Sequence, residues 1–126
     1  MNKAQNSKHY DLEDRTLRFA QRVRIFVKKL PKTLANIEDS RQLVNASGSI
    51  GANYIEANEA LSKKDFLMRI KICRKEAKES RYWLRLVDTA KDSELEQERK
   101  SLEAEAGELT HIFGSIVTKS QGKDAK

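Results

Sequence analysis

The sequence predicts an all-α protein folded as an antiparallel up-down-up-down four-helix bundle. The chain contains one proline and five glycines among 126 residues, too few chain breaks for a turn-rich β fold. Apolar residues recur at helical spacing in four successive segments, and each segment is bounded by a proline or a capping residue. The length suits one domain with a single core.

The bundle is expected to occupy residues 13–118. Residues 1–12 are expected to form a flexible N-terminal segment. Residues 119–126 include three lysines and almost nothing to bury, which predicts a disordered basic tail.

The first helix is predicted from about Asp14 to Leu30, because its apolar residues share one face and Pro31 cannot continue a helix. Phe19 and Phe26 flank that face. The face itself consists of Leu17, Ala20, Val23, Val27 and Leu30.

The second helix is predicted to begin near Thr33 or Asn36 and to continue to about Ala60. Gly48 and Gly51 lie inside it, where each costs about 1 kcal/mol relative to alanine. We therefore expect a neighbouring helix to approach closely at these glycines. The spacing does not match a phosphate-binding loop, for which the sequence has no Gly-x-x-x-x-Gly-Lys motif.

Capping residues mark the last two helices. Ser62, followed three residues later by Asp65, predicts the start of a third helix that reaches roughly Ala90. Ser93 is the predicted N-cap of a fourth helix. The apolar residues of this helix recur at bundle spacing: Leu95, Leu102, Ala106, Leu109, Phe113 and Ile116.

The net charge of +6 conceals an alternation of sign along the chain. Two segments are basic, residues 13–32 and 62–91, and two are acidic, residues 33–60 and 92–118. In an up-down bundle this alternation places basic helices beside acidic ones and favours that topology. Much of the basic surface can therefore be paired within the fold.

The third helix carries the strongest concentration of positive charge. Helical spacing places five of its cations on one strip and two arginines beside it, and we call the seven together the cationic ridge. Such a ridge on a small rigid scaffold suits the binding of a polyanion. The ridge residues are Lys64, Lys71, Arg74, Lys75, Lys78, Arg81 and Arg85.

The same helix has more apolar surface than one core contact requires. Ile72, Trp83 and Leu86, with Met68 and Tyr82, widen its apolar arc. The surplus favours a subunit interface anchored by Trp83. The alternative is that Trp83 fills the bundle interior.

Residues suited to catalysis or metal binding are sparse. Cys73 is the one cysteine and lies on the apolar face of the third helix, so we expect it in the core. Glu76 projects toward apolar residues and needs a partner, either a cation from a neighbouring helix or Asn53. A Glu-x-x-His pair, Glu108 and His111, occurs only once, whereas bundle metal sites use two. We expect no enzymatic activity, no cofactor and no metal.

The sequence contains no apolar run near the roughly 20 residues that span a bilayer, and residues 1–12 lack an apolar signal segment. A cytoplasmic protein without a membrane partner is expected.

The run from Gln42 to Ala57 resembles the signature of the bacterial four-helix-bundle family of 23S rRNA intervening-sequence proteins. The Leu30-Pro31 break, the start of the third helix at Ser62–Phe66 and its Glu76-Ala77-x-Glu79-Ser80 centre also match that family. The resemblance covers about Tyr10 to Thr118. It implies a homopentamer similar to the accessory protein of diversity-generating retroelements, a basic pentamer associated with nucleic acid and a reverse transcriptase.

The ridge and the resemblance together predict a non-enzymatic, oligomeric protein that binds the backbone of RNA or DNA. The alternative is a protein–protein interaction scaffold or accessory subunit that makes no direct contact with nucleic acid. Under that alternative the ridge would be neutralised by acidic residues of the fourth helix, namely Glu94, Glu96, Glu98, Glu103 or Glu105.

Overall fold

The computed structural model describes residues 3–125, with the side chains of residues 12–122. Within that range it confirms the all-α fold, with four helices and no strand. The helices are α1 (Lys3–Lys29), α2 (Leu34–Asn58), α3 (Lys63–Leu86) and α4 (Ser93–Ala125). None of them is long and apolar enough over its described residues to cross a membrane.

The helices form a ring in which each packs on its sequence neighbours and α4 returns to α1. No Cα atoms within 8 Å join the diagonal pairs α1 and α3, or α2 and α4, in the described chain. Connections of four to six residues force successive helices to run antiparallel, as predicted. The third helix packs closely on both α2 and α4, so the most basic helix lies beside the acidic α4.

Of the predicted starts of α2, α3 and α4, the first two are confirmed. Thr33 Oγ1 accepts a hydrogen bond from Asn36 N at 3.1 Å, and Ser62 Oγ accepts one from Asp65 N at 3.0 Å. The prediction for α4 was wrong by one residue, since Asp92 Oδ1 accepts from Leu95 N at 2.9 Å. A carboxylate at this position also interacts favourably with the helix dipole, which explains why Asp92 rather than Ser93 caps the helix.

The third helix ends at Leu86, four residues before its predicted limit at Ala90. Asn36, which is buried on α2, holds the following connection in place. Its Nδ2 donates to Asp88 O at 2.9 Å and to Pro31 O at 3.0 Å, and its Oδ1 accepts from Asp88 N at 2.9 Å. These bonds satisfy backbone groups that a longer helix would otherwise have to satisfy, so tertiary contacts end α3 early.

Both terminal helices extend beyond the predicted bundle limits of residues 13 and 118. Residues 3–12 continue α1 and residues 119–125 continue α4, where the sequence predicted a flexible segment and a disordered tail. Adding a residue to an existing helix gains a backbone hydrogen bond without a new nucleation cost. A helix can therefore extend beyond the residues that contact the core. The mobility of these ends stays a prediction.

The core confirms most predicted faces and corrects one residue. Phe19 and Phe26, expected to flank the α1 face, are fully buried, whereas Leu17 is 54% exposed. Cys73 is buried as expected, and burial raises the pKa of its thiol to about 12. At Gly51 a Cβ atom would lie 3.0 Å from Thr16 Oγ1 of α1, which confirms the predicted close approach.

Candidate nucleic-acid interface

The cationic ridge lies on the surface of α3, and its three arginines approach α4. Six of its seven side chains are exposed, and Arg74 is half-buried. The side chains of Arg74 and Arg81 reach α4 at Gly114 and Gly107, respectively. The tertiary structure therefore divides the ridge according to which α4 residues it meets.

At the C-terminal end of α3 the ridge is partly neutralised. Glu103 Oε2 lies 3.7 Å from Nε of both Arg81 and Arg85. Glu103 Oε1 also accepts from Arg99 Nη1 at 3.2 Å, so three arginines share one carboxylate. Within α3 itself, Lys75 Nζ lies 3.8 Å from Glu76.

The other acidic residues named in the scaffold alternative do not pair with the ridge. Glu98 binds Arg22 and Glu105 binds Arg15, both on α1, while Glu96 binds Arg99 on its own helix. Glu94 makes no ion pair with a described side chain. Most of the acidic charge on α4 is thus directed to α1 or to α4 itself.

Four ridge residues have no ion-pair partner among the described side chains: Lys64, Lys71, Arg74 and Lys78. No acidic residue occurs on the part of α4 beside Arg74, from Leu109 to Lys119. Contacts with the described side chains therefore do not cancel the field of these four cations. This unpaired part of the ridge is the strongest candidate interface in the molecule.

Two shallow depressions lie along the α3–α4 groove, and they differ in charge. The depression beside Gly107 has a volume of about 640 Å³ and includes the carboxylates of Glu103 and Glu108. The depression beside Gly114 has a volume of about 450 Å³ and contains no acidic side chain. It is lined by Arg74, Thr110, His111, Gly114, Ser115, Thr118 and Lys119.

Sequence reasoning missed the contribution of α4 to this surface. His111 was weighed only as a metal ligand, and Lys119 was assigned to the tail. The absence of acidic residues between Leu109 and Lys119 was the available signal. It could not be used alone, because sequence does not show that this stretch lies beside Arg74.

The predicted partner of Glu76 was wrong. Asn53 Oδ1 accepts from Arg69 Nη1 at 3.1 Å, and the nearest cation to Glu76 is Lys75 on the same helix. The side chain of Glu76 is only 17% exposed, and burial together with the charge of Glu79 raises its pKa. Asn53 on α2 is hydrogen-bonded to Arg69 on α3, where these two helices pack, and is therefore not the partner of Glu76.

Among the described side chains, no cluster of three or more His, Cys, Asp or Glu residues is arranged to hold a metal ion. Glu108 and His111, one turn apart, are both exposed on α4. They line the groove rather than the interior where a bundle metal site is built.

The surplus apolar surface of α3 is divided between the core and the exterior. Trp83 is half-buried and packs against the core, which favours the interior role over the interface anchor. Its ring also meets Tyr82 edge-on, with centroids 5.1 Å apart. Met68, Tyr82 and Leu86 remain about half exposed.

The fold and the sequence can be compared with known proteins. Residues 8–115 match the family described as 23S rRNA-intervening sequence protein. The chain belongs to that family. This assignment to the 23S rRNA-intervening sequence family confirms the resemblance found in the Gln42–Ala57 run.

A solved member of the S23 ribosomal protein family, a protein of unknown function from Bacteroides thetaiotaomicron, has a similar structure. It is 31% identical in sequence, with a TM-score of 0.73, over 84% of this chain and 97% of that one. No curated protein matches the sequence.

Proposed function

We propose that this protein binds the sugar–phosphate backbone of RNA or DNA through the unpaired part of the cationic ridge. The observation that carries the proposal is the exposure of Lys64, Lys71 and Lys78, with Arg74 beside them, without an ion pair to any described side chain. The family name refers to 23S rRNA, which makes RNA the first ligand to test. The role is non-enzymatic and cytoplasmic in this proposal.

Binding is expected to be mainly electrostatic. Cations on a rigid helix contact phosphates more readily than base edges, so affinity should vary little between unrelated sequences. Each neutralised phosphate should contribute about 0.7 to the slope of log affinity against log salt for single strands, and about 0.9 for duplex DNA.

The test measures binding of single-stranded RNA, duplex RNA and single-stranded DNA across a salt series by electrophoretic shift. The Lys71→Ala/Lys78→Ala variant should weaken binding to every sequence and lower the single-strand slope by about 1.4. Lys28→Ala/Lys29→Ala is the control, since it removes the same charge from exposed positions on α1. Equal affinity of the ridge variant and the parent at low salt would contradict the proposal.

We also propose that the chain forms a ring-like homo-oligomer, a pentamer by family resemblance. A ring requires two different surfaces to meet between neighbouring copies. Exposed apolar residues on α3 and on α1 are candidates: Met68, Tyr82, Leu86, Leu17 and Ile25. Sedimentation equilibrium should give a multiple of 14.5 kDa at micromolar concentration, and a monomer would contradict the proposal.

The second candidate function is an interaction scaffold or an accessory subunit, for example of a reverse transcriptase. Glu103 favours it, because one carboxylate partly neutralises Arg81 and Arg85 at the C-terminal end of the ridge. Under this alternative the parent protein should not bind RNA or DNA at low salt.

A further inference from the structure

The acid-free depression beside Gly114 has polar groups that the fold leaves unused. We call it the Gly114 groove, after the lining residues given above. The guanidinium of Arg74, the ammonium of Lys119 and the hydroxyls of Ser115 and Thr118 make no side-chain hydrogen bond to a described residue. Thr110 differs, since its Oγ1 already donates to Ala106 O at 2.8 Å. The groove therefore combines positive charge with free hydroxyl donors.

The absence of a side chain at Gly114 lets Arg74 lie against α4. Gly114 has no side chain, and the atom nearest to its Cβ position is Arg74 Cδ at 3.7 Å. The methylene part of the Arg74 side chain therefore packs against Gly114 at van der Waals distance, which holds its guanidinium beside α4. Arginine next to hydroxyl groups is a combination well suited to phosphate oxygens, because a guanidinium can donate two parallel hydrogen bonds.

The neighbouring depression provides an internal comparison. It also has a glycine on its floor, Gly107, with Arg81 Nε 4.0 Å from the Cβ position. Glu103 and Glu108 line it, however, and Glu103 lies 3.7 Å from Arg81. An anion there would meet two carboxylates, so the two depressions differ in charge although their backbone features are alike.

We propose that the Gly114 groove is a subsite for one phosphodiester group of a bound nucleic-acid strand. Arg74 and Lys119 supply the charge, Ser115 and Thr118 donate hydrogen bonds, and the exposed ring of His111 lies at the edge. The inference rests on the proposed nucleic-acid binding. It adds residues of α4 to a surface otherwise assigned to α3 and confines close phosphate contact to one half of the groove.

The test compares two variants that add one negative charge to α4. Thr118→Glu places it in the Gly114 groove, and Ala104→Glu places it at an exposed position of the Gly107 depression. Affinities for oligouridylate and oligodeoxythymidylate are measured across a salt series. We expect Thr118→Glu to weaken binding about tenfold more than Ala104→Glu, a difference of 1.4 kcal/mol.

Each variant of a second pair removes one positive charge from the ridge instead of adding a negative charge to α4. Arg74→Gln should lower the slope of log affinity against log salt by about 0.7, whereas Arg81→Gln should change it less. Circular dichroism during thermal unfolding checks that all four variants fold. Equal effects within both pairs, with the parent still binding, would overturn the groove assignment and leave the proposed function standing. Absence of binding by the parent would overturn both.

Discussion

At the scale of single residues, the fold depends on a few side chains whose surroundings the sequence does not reveal. Gly51 and Gly107 both lie inside helices, where glycine is unfavourable, yet their neighbours differ. A Cβ atom at Gly51 would lie 3.0 Å from Thr16 Oγ1, while at Gly107 the nearest atom is 4.0 Å away. An alanine at Gly51 would thus require Thr16 to shift, whereas one at Gly107 would not.

Gly107→Ala should therefore stabilise the protein by up to about 1 kcal/mol through helix propensity. Gly51→Ala should be the less stable variant, because Thr16 is β-branched and its hydroxyl already donates to Leu12 O and Glu13 O. Urea unfolding measures both. A Gly51→Ala variant as stable as Gly107→Ala would show that the α1–α2 contact relaxes freely.

Glu76 is a second residue whose environment gives a testable consequence. Burial and the neighbouring Glu79 raise its pKa in the folded protein. Ionised Glu76 therefore destabilises the fold above its folded pKa, and this penalty disappears below its ordinary value of 4.5. Glu76→Gln should stabilise the protein at pH 7 and match the parent at low pH.

Thermal unfolding at several pH values measures this difference. Glu79→Gln serves as the control, since Glu79 is exposed. A loss of stability at pH 7 on replacing Glu76 would mean that its contact with Lys75 outweighs burial.

At the scale of elements, the helices follow from local pattern, but their ends depend on neighbouring groups. Thr33 and Ser62 cap α2 and α3 as their sequences indicate. The end of α3 is set instead by Asn36 of α2, through its hydrogen bonds to Asp88. This helix boundary depends on a contact between residues 52 positions apart in the sequence. The residues around the end of α3 alone therefore cannot predict it.

The start of α4 gives a direct test of capping. Asp92→Ala should cost about 1 kcal/mol, because it removes the oxygen that accepts from Leu95 N. Ser93→Ala should cost much less, since Ser93 is the first helical residue and makes no such bond. Urea unfolding distinguishes the two, and a larger effect at Ser93 would restore the original assignment.

At the scale of the whole molecule, the placement of charge matters more than its total. Five short-range pairings use the acidic residues of α4: Arg15 with Glu105 and Glu108, Arg22 with Glu98, and Arg99 with Glu96 and Glu103. The basic α1 binds three of these acidic residues. As a result, most of the positive charge left without a partner on the ridge lies on the N-terminal two thirds of α3.

Removing one carboxylate tests this arrangement. Glu103→Gln should strengthen nucleic-acid binding, because it releases Arg81 and Arg85 from their shared partner. Glu94→Gln is the matched control, since it makes the same change of charge without breaking an ion pair. Electrophoretic shift at constant salt measures both. Equal gains would show that only the net charge matters, and no gain in either would favour the scaffold.

Local sequence patterns specify the fold class, the number of helices, two of their N-caps and the positions of the ridge cations. These features depend on periodicity and on residues within one turn of each other, which a single chain segment displays. The 23S rRNA-intervening sequence family was also readable from the Gln42–Ala57 run and its flanking motifs.

The packing of the helices against one another sets which ridge cations remain unpaired and where the groove lies. Glu103 on α4 lies near Arg81 and Arg85 on α3, whereas Arg74 lines a depression that contains no acidic residue. Leu17 is exposed although the sequence places it on the apolar face of α1, whereas Phe19 and Phe26 of the same helix are buried. Such outcomes depend on the register between helices distant in sequence, and helical periodicity specifies a face but not what that face meets.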